Sequence, residues 1–323
     1  MSLAELTAVE RVGKDEYVSK SYPIWVGNAM PIAYGGCAMG VALRSACDTV
    51  PSGFTPYSVL GHFLGPASTD QKFRCRVHDR RTTRTFATRR VEVSQLRGDG
   101  TSRSCLELTA DFHVAEASIS DYQAAPFAAW PGRHDCPTTQ ELLESVRARG
   151  AASDDLIDAV LAVGGGGSGG QTVVRRPCPN GVAAQNLIGV AKQLPTTQDH
   201  LPITSKASAD WQRCPVSLDG PAANFAAAIF LMDSALSFTP LTHDHKWFDD
   251  VAACSTLDFA FRIFVPRIDL EQWTLQERQT IRGGWGRSYT EGRLRDEKGQ
   301  LLASMTQQSI LRPHKGQGVK PKI

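Results

Sequence analysis

The chain reads as an α+β protein made of two similar units. Three observations predict this: a helix followed by a meander of strands occurs twice, the halves echo one another at a spacing of about 200 residues, and a glycine-rich break separates them. At 323 residues the chain suits one large domain or two ordinary ones, and 41% hydrophobic residues supply a substantial core.

In the first half, Gly35-Gly36 precede a helical stretch, Cys37 to Val50, with Ala38, Val41, Ala42, Cys47 and Val50 apolar. Phe73, Cys75 and Val77 then alternate with Lys72, Arg74, Arg76 and His78, the period of a half-buried strand. Phe86 to Gln95 continues with Val91 and Val93, and Gly98-Asp99-Gly100 supplies a hairpin turn. Leu106, Leu108, Ala110, Phe112 and Val114 alternate again. The basic residues from Arg74 to Arg90 mostly alternate with apolar ones, which makes them the solvent face of a sheet; a patch that meets an anionic substrate handle is the other reading.

Residues 1–125 form the first unit, 126–170 a connector and 171–323 the second unit, which carries the candidate site. In the connector, Thr138 and Glu141 make a capping box ahead of Leu142, Leu143 and Val146, and a second short helix covers Asp154 to Val163. The run from Gly164 to Gly170 has no strand before it and no Lys-Ser/Thr after it, so it reads as a flexible linker and not a phosphate loop. Strand signal resumes at Gln171 to Arg176. The second unit then shows a helix at 222–238 and strand-like runs at 255–265, 272–281, 286–295 and 301–312. A turn at Asp296-Glu297-Lys298-Gly299 stands where Gly-Asp-Gly stood before, and Asp70-Gln71-Lys72-Phe73 is echoed by Glu271-Gln272-Trp273. The expected packing curls each sheet around its own helix, with the sheets side by side.

A net charge of +2 gives no electrostatic mandate for nucleic acid. No run of about 18 apolar residues predicts a membrane span. The first twenty residues are charged throughout and lack a signal-peptide apolar core, and the eight cysteines contain no CxxC pair. Both point to reduced thiols and a cytoplasmic protein. The terminal Pro-Lys-Ile matches a peroxisomal tripeptide only at its middle position. His243-Asp244-His245 lacks a third ligand at a known spacing and reads as a polar loop after Pro240, so neither metal nor cofactor is expected. The absence of G-x-S-x-G argues against a serine hydrolase.

The candidate site begins with one acid in an apolar helix. In the run Ala226 to Leu236, Asp233 lies level with Ile229, Phe230 and Leu236, so its carboxylate leaves water unless it turns outward or pairs with an arginine. Strand alternation puts Gln307 on the face of Leu301, Ala303 and Met305, whereas Gln308 goes with Ser304 and Thr306. Thr256 begins a strand, and Asp258, two residues on, is expected on the same face as a rival carboxylate. An acid, a hydroxyl and an amide in an apolar crevice are suited to hold and deprotonate a water. The Gly35-Gly36 helix start offers free amides and a positive dipole end, suited to an oxyanion.

Four segments carry a resemblance: Ala33-Tyr34-Gly35-Gly36, Gly61-His62-Phe63-Leu64-Gly65-Pro66, Arg84 to Val91 (RTFATRRV), and Leu301 to Gln307 (LLASMTQ). In this order and spacing they resemble the type II (TesB-like) acyl-CoA thioesterases, over about 20–125 and 171–313. The resemblance implies a double hotdog fold and a water positioned by Asp233, Thr256 and Gln307 to attack a thioester carbonyl. It implies an acyl-CoA or other acyl thioester as substrate, a carboxylic acid and CoA as products, no metal, and homo-oligomers assembled through the sheets. The chain departs from the family pattern at Leu60 and Phe259, where the family has His, and at Gly65, where it has Arg. These departures bear on the pocket and leave two other expectations in view: a hotdog enzyme turned to hydration, dehydration or cyclisation of a biosynthetic intermediate, and a non-catalytic acyl-binding protein.

Overall fold

The elements follow the repeat in order. A computed structural model describes residues 1–26, 32–163 and 172–316. The first unit contains α1 (Leu3–Thr7), β1 (Val9–Arg11), β2 (Glu16–Ser19), α2 (Gly35–Cys47), β3 (Phe54–Phe63), β4 (Arg74–Thr82), β5 (Phe86–Leu96) and β6 (Ser102–Val114). The connector carries α3 (Thr139–Ala148) and α4 (Asp154–Val163). The second unit contains β7 (Val174–Pro177), α5 (Val182–Gln185), β8 (Ser208–Arg213), α6 (Gly220–Met232), α7 (Thr239–His243), β9 (Val251–Ile263), β10 (Thr274–Gly284), β11 (Arg287–Asp296) and β12 (Leu301–Pro313). This is the double hotdog fold.

The two sheets meet edge to edge. Strand order is β1-β2-β4-β5-β6-β3-β9-β12-β11-β10-β8-β7, one antiparallel run of twelve strands. The seam is β3 against β9, with Val59 opposite Phe261 and Gly61 opposite Phe259. Pro56 and Gly61 interrupt the apolar alternation of β3, which explains why that strand was not expected.

Both long helices are buried by composition. Ten of the thirteen residues of α6 are buried, and an apolar surface all round suits a helix enclosed on every side. Its one amide, Asn224, is satisfied: it accepts from the Leu270 N–H at 3.0 Å and donates to the Gly220 carbonyl at 3.1 Å. The helix ends at Met232, short of the expected 238, because Ala235 takes a left-handed conformation (φ 65°) and Pro240 opens a new turn in α7.

The connector covers the outer face of the second sheet. Glu277 of β10 is fully buried there, paired with Arg295 at 2.8 Å and accepting from the Phe127 N–H and Trp130 Nε1 at 2.7 and 2.8 Å. The Thr138–Glu141 capping box opens α3 as expected. The Gly164–Gly170 run and the terminal Pro-Lys-Ile lie outside the described residues. No described helix is long and apolar enough to cross a membrane.

Candidate functional site

The site arises where the two buried helices pack side by side. A Cβ on Gly36 would meet the Phe230 carbonyl at 2.8 Å, and one on Gly40 would meet the Ala226 carbonyl at 3.2 Å. Residues 36 and 40 therefore face 230 and 226, so α2 and α6 run antiparallel in close contact, which small residues permit. The N-terminus of α2 thus abuts the C-terminus of α6, where Asp233 is the C-cap residue.

Asp233 is only 7% exposed. Its Oδ1 accepts from Gln307 Nε2 at 2.6 Å, and Thr256 Oγ1 in turn donates to Gln307 Oε1 at 3.2 Å. On the other side stands the start of α2. The Asp233 Oδ2 lies 3.0 Å from where a Gly35 Cβ would sit, which sets the carboxylate against the first turn of α2. Tyr34, the N-cap of α2, has no side-chain capping bond; its hydroxyl donates to the Phe230 carbonyl at 2.8 Å and ties the two helices together. The structure therefore brings all three expected residues into one hydrogen-bonded chain. The Gly36 amide at the start of α2 also favours the ionised form of this acid.

Burial pushes the Asp233 carboxyl up to about 6, while Gln307, the Gly36 amide and Tyr34 pull it back down. A buried carboxyl that titrates near neutrality is matched to taking a proton from water. Cys37, nearby on α2, is held protonated by its own burial, which lifts the thiol to about 12. Among the described residues no cluster of His, Cys, Asp and Glu has the makings of a metal site.

The backbone beyond Asp233 is anchored by charge. Arg278 Nε donates to the Ser234 carbonyl at 2.9 Å, and Asp210 joins Arg278 and Arg175 at 2.6 and 2.8 Å. These residues were missed at the sequence level. The available signal was a glutamine and an arginine, Gln276 and Arg278, at inward positions of β10, where apolar residues belong.

Two expectations are corrected. Asp258 does not share a face with Thr256: a β-bulge places Asp258 opposite Gln308 and Thr256 opposite Ser309, so the two side chains leave opposite faces of β9. Asp258 accepts from Gln308 Nε2 at 3.4 Å, away from the trio. His243 is not in a polar loop. It ends α7, fully buried, with Nε2 2.9 Å from Ser208 Oγ.

The departures from the family pattern also find places. Phe259 on β9 stands directly opposite Gln307 on β12, and its ring packs over Gly61 and, at 6.0 Å, against Phe63. Phe63 itself comes within 3.0 Å of the same Gly35 Cβ position that Asp233 approaches, so the aromatic pair walls the site on the seam side. Leu60 points outward, and Gly65 sits beside Arg103.

Comparison with known proteins places this arrangement. Residues 22–113 match the acyl-CoA thioesterase N-terminal domain and residues 175–311 the acyl-CoA thioesterase C-terminal domain. No curated protein matched at the sequence level. Among solved structures, the chain is similar to the acyl-CoA thioesterase II TesB2 of Mycobacterium marinum (21% identity, 98% of this chain and 100% of that one, TM-score 0.70). It is also similar to the tesB protein of Mycobacterium avium subs paratuberculosis (18%, 96% and 98%, 0.67). A hot dog fold protein of unknown function from Alicyclobacillus acidocaldarius gives 17%, 96% and 97%, and 0.65. With both halves matched in order over most of its length, the chain belongs to the acyl-CoA thioesterase family and is a thioester hydrolase.

Proposed function

We propose that the chain hydrolyses acyl-CoA thioesters to a carboxylic acid and CoA, with Asp233 as general base. The observation that carries this reading is the hydrogen-bonded Thr256–Gln307–Asp233 chain at the start of α2, with the acid and the amide buried and the carboxyl raised to about 6. Asp233 takes a proton from a water, whose oxygen forms the new bond to the thioester carbonyl carbon. The tetrahedral intermediate then collapses, the carbon–sulfur bond breaks, and the CoA thiolate leaves with the proton that Asp233 holds. Gln307 fixes the rotamer of Asp233 through Nε2, and Thr256 fixes the orientation of the Gln307 amide. Neither step calls for a covalent enzyme intermediate.

The test is release of free thiol from short, medium and long acyl-CoAs by wild type and Asp233→Asn. The reading expects turnover that the substitution lowers by about 10² or more. No release from any acyl-CoA would overturn it. Equal turnover by both proteins would keep a thioesterase and remove Asp233 from its centre.

A further inference from the structure

On the side of Gln307 away from the aromatic pair, the inner face of the second sheet is lined with hydroxyls. In cross-strand register Thr290 faces Gln307, Ser288 faces Ser309, and Ser309 faces Thr256. Thr290 and Ser309 are fully buried and Ser288 nearly so, and none of the three hydroxyls has a hydrogen-bond partner among the described residues. The Gln276 Oε1 on β10 is likewise buried and unpartnered. Facing residues on neighbouring strands stand about 5 Å apart, so this row starts within one strand spacing of the catalytic chain. That is the reach of the acyl carbons next to the thioester carbonyl.

The first unit does not share the row. Each sheet has a β-bulge in its last hairpin, at Cys105 and at Leu302, and counting from these bulges matches Thr290 to Arg89, Ser288 to Ala87 and Ser309 to Phe112. Ala87 and Phe112 are apolar and buried, and Arg89 is fully hydrogen-bonded. This row of hydroxyls, though not every unpartnered hydroxyl among the described residues, thus belongs to the unit that carries Asp233. Buried polar groups left without partners are rare and costly, and a cluster of them beside a reaction centre is what a site for a polar ligand group requires.

We propose that Thr290, Ser288 and Ser309 form a subsite for oxygen on the acyl chain, so that the preferred substrate is a hydroxyacyl or ketoacyl thioester rather than the plain saturated one. This rests on the thioesterase reading of Asp233. A site built to hydrogen-bond an oxygen discriminates strongly against the analogue that lacks it, because its own polar groups are then left unpaired.

The experiment compares kcat/KM for a β-hydroxyacyl-CoA, a β-ketoacyl-CoA and the saturated acyl-CoA of the same length. Wild type is expected to favour an oxygenated chain by about tenfold or more. Thr290→Val and Ser309→Ala, which nearly conserve volume, are each expected to shrink that ratio by about five- to tenfold, the worth of one neutral hydrogen bond. Each is also expected to raise the melting temperature of the free protein, since it removes an unpartnered polar group; a hydroxyl with a purely structural role would lower it. Equal kcat/KM for the three substrates in wild type, or a ratio that neither substitution moves, would overturn the subsite while leaving hydrolysis intact. Calorimetric binding of the same thioesters to Asp233→Asn reads the subsite without turnover. A preference there with no thiol release by wild type would discard the hydrolytic reading and keep the subsite, whereas equal binding would overturn it.

Discussion

Asp48 and Asp233 hold the same place in the two units. Each is the C-cap of a buried helix thirteen residues long. Asp48 is solvated and pairs with Arg44 one turn back, at 3.4 Å. Asp233 is enclosed and pairs with an amide. What faces each helix end accounts for the difference. In the first unit Arg89, 2% exposed, fills the space between sheet and helix end and donates to the Thr49 hydroxyl and carbonyl at 3.0 and 3.1 Å. In the second unit the matching position is Thr290, and its cross-strand neighbour is Gln307 where the first unit has Ala110. One fold therefore yields an end plugged by a guanidinium and an end where a hydroxyl and an amide stand opposite an enclosed acid, the end proposed as the reactive one.

The contrast breaks most sharply by substituting the two acids in turn. Asp233→Asn is expected to lower kcat by about 10² to 10⁴, the range for a positioned acid–base group. Asp48→Asn is expected to leave kcat within about twofold. Steady-state thiol release by the two variants checks this, and a large loss in Asp48→Asn would end the claim that only one helix end is reactive.

Next in size is the stability cost of keeping Asp233 buried. Its carboxyl titrates at about 6 in the folded protein against a reference value of 3.8. The fold therefore favours the protonated form. The corresponding stability is full below about pH 4 and is lost as pH rises through 6, reaching roughly 3 kcal/mol by neutrality. Asp233→Asn keeps an acceptor for Gln307 Nε2 and carries no charge. It is expected to be more stable than wild type in urea at pH 7 and nearly equal at pH 4. Activity should show the complementary profile, with kcat/KM rising with unit slope through about pH 6. In Gln307→Ala, which copies the first unit's Ala110, that midpoint should move to higher pH, because the lost hydrogen bond had held the value down.

Arg89 sharpens the comparison from the other unit. Arg89→Met leaves Asp79 solvated but strips the Thr49 carbonyl of a buried donor. A loss of about 2 kcal/mol follows, read as a lower urea midpoint, with the kcat of the folded fraction unchanged.

The parts of this comparison that lie within one element were legible in the sequence. The enclosed Asp233 follows from its apolar helical neighbours, and the inward turn of Gln307 follows from its alternation with Ala303 and Met305. What depends on register was not. A bulge invisible in the sequence put Asp258 and Thr256 on opposite faces of β9. The antiparallel contact that sets Gly36 against Phe230 joins residues almost two hundred positions apart, and no local pattern reports it. Arg89 read as one of a row of solvent-facing cations, because alternation gives the face of a strand and says nothing about what fills the space beneath it.

The smallest expected effect tests the seam between the units, where Phe259 stands in the place that Val59 takes in the first. A Cβ on Gly61 would lie 2.5 Å from the Phe259 ring and 3.1 Å from Leu108 Cβ. Gly61→Ala should therefore cost about 1–2 kcal/mol from overpacking. Phe259→Val, which makes the second unit copy the first, opens the space that the new methyl needs, so the same substitution in that background should cost much less. The double-mutant cycle should give a coupling of about 1 kcal/mol. Additive losses would show instead that the backbone of β3 gives way, and that Gly61 does not owe its size to Phe259. Because Phe63 packs on that ring and borders Asp233, the relieved double variant should also accept bulkier acyl groups than wild type, which the acyl-CoA panel would register as a changed chain-length profile.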